Sequence, residues 1–451
     1  MNKAAIETAS EAFSTNALKV RFEDLDRDVV ENAKKRIIDV VGDIMGGAGA
    51  PDNVALVNLV KEWGGKKEAT ILGYGLEAPA SNVALVNCIL CNSFDSAPLV
   101  VIVGGKLYPS HTSGCTVPSA ITMGEYGGIT GKELITSLVV ADDLVSRLQS
   151  LNPRGGSATP LGVAAIAGRV LGLNAFQMKN AFGMALGQAS GGSGGLWDGS
   201  PAFKIGYGKA AYNGIMAAQL AQGGWTGAED PLFGGHSSFF GSDCEHTETL
   251  TADLGKKFYV ELVFKPYPGC RLTHTSIGAA LALVGKHDIR IEDIEEITLI
   301  LPPTAKNDHC WKPFQIRNFP TGDALFSYRY SVASALLRKR AQNEDFTEKS
   351  IRDPEVHLLI DKIKLESSPQ MVGAELVLKM KDGNCLSERV SVAKGDITTP
   401  LSRDELITKF MAQIEFSQII DRKKAEQLLA MLESLEEVDN VGKIAKQAVK
   451  T

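Results

Sequence analysis

The hydrophobic pattern of this 451-residue chain changes period twice, and that constrains its architecture more than any single motif. Up to about residue 250 the pattern is helical. Between Arg27 and Met45, the residues Val29, Val30, Ala33, Ile37, Ile38, Val41 and Ile44 recur at helical spacing, and Gly46-Gly47 stops the run. LGVAAIAGRVLGL and AFQMKNAFGMALGQAS are rich in Ala and Gly and apolar on nearly every face, which predicts helices packed on several sides. GGSGGLWDGS reads as a loop, and IGYGKAAYNGIMAAQLAQ returns to helix. After residue 255 the character changes. KKFYVELVFK and IEEITLILP read as strands. VGAELVLKM alternates and is followed by the turn residues KDGN and a further strand, CLSERVSV. From Pro400 the helical period resumes in RDELITKFMAQI and AEQLLAMLESL. An α+β segment is therefore expected between a large helical region and a short helical tail that packs back on it.

Composition narrows the function. Hydrophobic residues make up 44% and charged residues 22%, as in an ordinary soluble globular protein. The net charge is −6, with no block of five or more like charges, so nothing favours nucleic acid or an anionic membrane. No apolar run approaches a membrane span, and MNKAAIETASEAF lacks an apolar signal region. Seven scattered cysteines predict reduced thiols in a cytoplasmic protein.

Cys88 and Cys91 have CxxC spacing, but they lie in an apolar helix without a second pair, so buried thiols are expected rather than a metal site. No nucleotide-binding glycine loop is present. His236, His246, His287, His309 and His357 stand isolated and read as surface or structural residues. Four polar clusters remain: NSFDSAP with Asp95, YPSHTSG with His111, LWDGSPAFKIG with Lys204, and VFKPYPGCRLTHTS with Lys265, Arg271 and His274. In the last, cations at a helix start oppose the helix dipole, which makes sense if an anion binds there. Together the clusters suit polycarboxylate chemistry, in which cations hold acid groups and a His, Asp or Lys moves a proton at carbon.

These residues, with the AAIAGRVLGL helix, GKAAYNG, Ser327-Tyr-Arg-Tyr330 and PLSRDELITKF, resemble the MmgE/PrpD family over nearly the whole chain. The family includes a dehydratase, a decarboxylase and an epimerase of small carboxylic acids. The resemblance implies a mainly α fold: a large all-helical domain formed by 1–264 and 395–451, and a smaller α+β lid at 265–394. It also implies a homodimer and a cofactor-free site between the domains, and no metal is expected because no Cys/His set has ligand spacing. Asp95 matches the first Asp of the family's HAxDFDD stretch, His111 the His of its HPSG loop, Lys265 the Lys of KPYP, and Tyr330 a Tyr near a lid-helix start. His274 matches the His of KPYPxCxxTH, and Lys204 matches a family Lys after a one-residue slip. This chain departs from the pattern at Asn92-Ser-Phe-Asp95-Ser-Ala-Pro98, which lacks the His and two acids, and at Asn152-Pro-Arg-Gly-Gly156, which lacks a His. It also has Cys270 where the decarboxylases carry a His five residues beyond the KPYP lysine.

The expected function is a cofactor-independent lyase of the hydratase or dehydratase type, acting on a small di- or tricarboxylate. Lys265, Arg271 and Lys204 would bind carboxylates, His111, Asp95 or His274 would move protons, and Tyr330 would protonate a leaving hydroxyl. Two alternatives stand beside it: an epimerase or isomerase using the same proton abstraction, and a non-catalytic carboxylate binder.

Overall fold

A computed structural model describes residues 3–108, 110–151, 157–187, 194–233, 238–240 and 248–450. The Asn152–Gly156 segment, His236, His246 and part of the glycine loop at 191–200 lie outside them. Helix accounts for 59% of the structure and strand for 11%.

One hydrophobic core gathers residues from positions 9 to 260 and again from 406 to 448. Helices Arg27–Ala48, Ala80–Cys91, Ser113–Gly127, Gly131–Ser150, Thr159–Val170 and Ile205–Gln222 build it. Their small residues do the packing that the Ala/Gly pattern predicts. A Cβ on Gly47 would lie 1.9 Å from the Leu90 carbonyl oxygen, and one on Gly208 would lie 2.7 Å from that of Leu85. The Ala80–Cys91 helix is thus clasped from both sides at backbone distance. Cys88 and Cys91 are buried thiols within it. The tail returns to this core, with Arg403–Ser417 packed along Arg27–Ala48.

A second core collects residues from 277 to 378, joined by Ala50, Phe94 and Phe203 from the helical part. Its sheet has four strands. Ile294–Leu301 runs parallel to Ile363–Ser367 and antiparallel to Ala374–Met380, which pairs in turn with Cys385–Val390. Ile294, Ile297, Leu299 and Leu301 are buried in this core, and the helix His274–Lys286 packs on Ala374–Met380 and Cys385–Val390 and against the helix Tyr328–Arg338.

Two expectations need correction. The helical part is not all helix. Ala69–Ile71 pairs with Leu76–Ala78, and Leu99–Val103 pairs with Lys106–Tyr108 across Gly104 and Gly105, both at positive φ. An apolar β-branched run ending in Gly-Gly is a hairpin signal that was available in the sequence. Conversely, KKFYVELVFK keeps only Leu262–Val263 as strand, the third member of the Leu99 sheet. Lys265 is carried by the coil that follows.

Candidate active site

The site begins where the Ala80–Cys91 helix stops. The Asn92 side-chain amide donates to the Cys88 carbonyl at 2.7 Å and to the Gly114 carbonyl at 3.2 Å. A Cβ at Gly114 would sit 2.6 Å from that amide, so the glycine of HTSG lets the two loops touch. Four residues on, the Ser96 hydroxyl donates to Asp43 at 2.7 Å, and Lys409 donates to the Ser96 carbonyl at 2.8 Å. Lys409 also contacts Asp39 at 2.8 Å and Asp43 at 3.2 Å inside the helical core. Burial, with Asp43 adding and Lys409 opposing, pushes Asp39 up to about 7. Between these two anchors Asp95 adopts φ 48°, a left-handed conformation that costs a non-glycine residue about 1–2 kcal/mol. The flanking hydrogen bonds hold it there.

Lys265 meets Asp95 from the other side. It is 1% exposed, and its Nζ lies 2.9 Å from Asp95 Oδ1 and 2.5 Å from the Asp95 carbonyl oxygen. An ammonium has three donors, so two are committed to Asp95 and one remains. Pro266 and Pro268 prevent helix until Gly269, whose N–H bonds the Phe94 carbonyl at 2.9 Å and ties this turn to the Asp95 loop.

His111 precedes the Ser113–Gly127 helix. The residue is exposed to solvent by area, yet enough protein surrounds its ring to desolvate it. Desolvation lowers its pKa to about 4, with Asp95 opposing and Lys265 assisting. At neutral pH it is an uncharged base. Its ring lies 5.7 Å from that of Tyr207, on the Ile205–Gln222 helix. Burial raises the Tyr207 phenol well above its usual range, and Asp95 and Cys270 push the same way. His274 is 1% exposed, with Nε2 3.3 Å from the Gly269 carbonyl. Burial first, then Lys265, holds it well below the usual histidine range.

A third group converges on the turn after Lys265. Cys270, His309 and Cys310 present ligand-type atoms that all lie within 4.8 Å of one another. No sequence spacing announced this cluster, and His309 read as isolated. The structure corrects that reading, because the sheet strand Ile294–Leu301 delivers residue 309 to residue 270 from a distance in sequence.

The remaining candidates are placed elsewhere. Lys204 is 2% exposed and pairs with Asp52 at 2.5 Å and the Asn53 amide oxygen at 3.1 Å. Tyr330 is wholly buried in the second core, its hydroxyl donating to the Asp345 carbonyl and its ring against Phe314 and Phe346. Arg271 is paired with Asp396 through one terminal nitrogen and stays partly open to solvent. Asp95, His111, Lys265 and His274 are thus brought together, and Tyr207 and Cys270 join them. Tyr207, three residues after Lys204, could have been found only as the polar tip of a largely apolar helix.

Residues 11–246 match the MmgE/PrpD N-terminal domain and residues 267–437 the MmgE/PrpD C-terminal domain. Among relatives, the chain is 24% identical to a cis-aconitate decarboxylase of Mus musculus, across 96% of this chain and 92% of that protein. It is 23% identical to a cis-aconitate decarboxylase of Homo sapiens, across 96% and 93%, and 24% identical to one of Aspergillus terreus, across 87% and 86%. With both domains matched in order over most of its length, the chain belongs to the MmgE/PrpD family.

Proposed function

We propose that this protein is a lyase of the hydratase or dehydratase type that acts on a small di- or tricarboxylate by removing a proton α to a carboxylate. The observation that supports this most is the Lys265–Asp95 pair beside a neutral, solvent-touched His111. Lys265 directs its third donor at a substrate carboxylate and stabilises the enediolate-like charge that develops when the α-proton leaves. Asp95 fixes the ammonium, and its strained backbone places both its side chain and its carbonyl on Nζ. His111 accepts the proton, because its lowered pKa keeps it uncharged at neutral pH. Tyr207, held as a phenol, offers a proton to a leaving hydroxyl.

The relatives named above are decarboxylases, which are lyases acting on a carboxylic acid. The substrate class is taken from that likeness and from the cationic site. An epimerase reading has one specific support: Cys270 and His309 supply acid–base groups in addition to His111.

The deciding experiment incubates the protein in deuterated water with citrate, malate, 2-methylcitrate and cis-aconitate, followed by proton NMR. Deuterium uptake with loss or gain of water supports the proposal. Uptake with no mass change beyond deuterium makes it an epimerase, loss of carbon dioxide makes it a decarboxylase, and no uptake from any acid leaves a binder.

A further inference from the structure

The Cys270–His309–Cys310 cluster is built rather than accidental. Asp308 accepts the N–H groups of Cys310 at 2.9 Å and Trp311 at 3.1 Å and the Tyr328 hydroxyl at 2.9 Å, which fixes the short turn carrying His309 and Cys310. The His309 ring is held by Phe326 at 5.3 Å and Trp197 at 5.8 Å, between ring centroids. Its Nε2 is buried, with no hydrogen-bond partner of good geometry among the described residues. Cys270 is fixed from both sides, its own N–H on the Leu325 carbonyl at 2.9 Å and the preceding Gly269 N–H on that of Phe94. Cys310 is fully buried, whereas Cys270 keeps part of its surface open. One thiol is therefore reachable and the other supports it.

We propose that Cys270 and His309 form a thiolate–imidazolium couple that exchanges a proton with the substrate carbon facing Lys265. This rests on the reading of the site as one for α-proton removal. In the step, on the face of that carbon opposite the one His111 serves, the C–H bond breaks and an S–H bond forms at Cys270. The electron pair of the broken bond passes into the substrate carboxylate as an enediolate, and reprotonation runs the same path backwards. The charged and titratable groups around the sulfur are His309, Cys310, Asp308, Asp95, Tyr207 and Tyr328. Donation from the Cys310 thiol is the largest influence and His309 acts the same way, against burial and Asp95, so the Cys270 pKa falls to about 6. Burial disfavours the His309 cation, but Cys270 and Asp308 outweigh it and its pKa rises. A lowered thiol pKa beside a raised imidazole pKa is what an ion pair requires.

The test needs no knowledge of the substrate. The full chain is alkylated with iodoacetamide from pH 4.5 to 9.5, in a Cys385→Ser background because Cys385 is exposed, and Cys270 is followed by peptide mass mapping. A midpoint near 6 is expected, against about 8.5 for an ordinary thiol. His309→Gln should raise the midpoint by at least one pH unit, and malate or citrate should slow alkylation at least fivefold. A midpoint above 8, an unmoved midpoint in His309→Gln, or no protection by any acid of the panel overturns the couple. So does stoichiometric zinc in the purified protein that blocks alkylation until chelated, because a metal-bound thiolate is not a free base. Where the parent exchanges deuterium, Cys270→Ser should lose at least a hundredfold, and a loss below tenfold overturns the role. If no acid exchanges in the parent, the function proposal fails, while the alkylation midpoint and protection still decide the couple.

Discussion

Lys204 and Lys265 are the same side chain at the same depth, and they end in different company. Each is about 1–2% exposed and each meets a carboxylate, Asp52 at 2.5 Å and Asp95 at 2.9 Å. Around Lys204 the other neighbours are the Asn53 amide oxygen and the Phe319 ring, which hold a cation and move no proton. Burial lowers its pKa, with Asp52 opposing. Around Lys265 stand two neutral imidazoles, one of them touched by solvent, and the Asp95 loop anchored to Asp43 and Lys409. A buried lysine–carboxylate pair is by itself a strut. Proton acceptors within reach and an opening to solvent make it a candidate site.

The largest expected effect that tests this contrast is at Lys265. Lys265→Ala should lower kcat/KM at least a hundredfold, a barrier increase of about 2.7 kcal/mol. Because it leaves Asp95 buried without its partner, it should also cost stability on the order of 3–5 kcal/mol. Pairing Lys265→Met with Asp95→Asn removes both charges and should recover much of the stability and none of the activity. Recovery of activity would erase the distinction between the two lysines.

His111→Gln comes next. A positioned acid–base group contributes about 10²–10⁴-fold, and the melting temperature should move little because the ring already touches solvent. The acid limb belonging to His111 should lie near pH 4, below that of Cys270 near 6. A His111 limb at the ordinary value of about 6.5 would contradict the desolvation of its ring.

Lys204→Met should cost less than tenfold in activity. The Asp52 carboxylate it leaves is still 28% exposed and can be hydrated, so the stability loss should be smaller than at Lys265. A hundredfold loss of kcat at unchanged melting temperature would instead place Lys204 with the reacting groups, as the resemblance first implied.

The smallest effect lies behind the site. Asp39 titrates near 7 in the folded protein and near 3.9 when unfolded, so between those values the folded state binds the extra proton. Stability should therefore fall as pH rises from about 4 to 7. Asp39→Asn should flatten that fall in melting temperature. Asp43, also raised by burial, keeps part of it. An unchanged slope would mean that Asp39 is already ionised beside Lys409.

Much of this architecture is legible in the chain, for reasons that are local. Helix and strand periods record which face is buried, so Ile294–Leu301, Ala374–Met380 and Cys385–Val390 appear where alternation and KDGN indicate. The Leu99–Tyr108 hairpin was legible too, in VIVGGKLY, but an apolar run beside a helix is easily taken for more helix. Polar clusters at Asp95, His111 and Lys265 are visible because charged residues in glycine- and proline-punctuated loops have no packing role to explain them.

The sequence by itself determined the two folding regimes, the helical return of the tail, and which loops carry Asp95, His111 and Lys265, since each depends on periodicity or on residues within a few positions. Only the tertiary structure decided that Arg271 pairs with Asp396, that the Tyr330 hydroxyl bonds the Asp345 carbonyl, and that His309 and Cys310 meet Cys270. A side chain's chemistry is set by what lies within about 4 Å of it, and these partners stand 15 to 125 residues away along the chain. Their meeting is fixed by how the sheet and the helices stack, which no local pattern records.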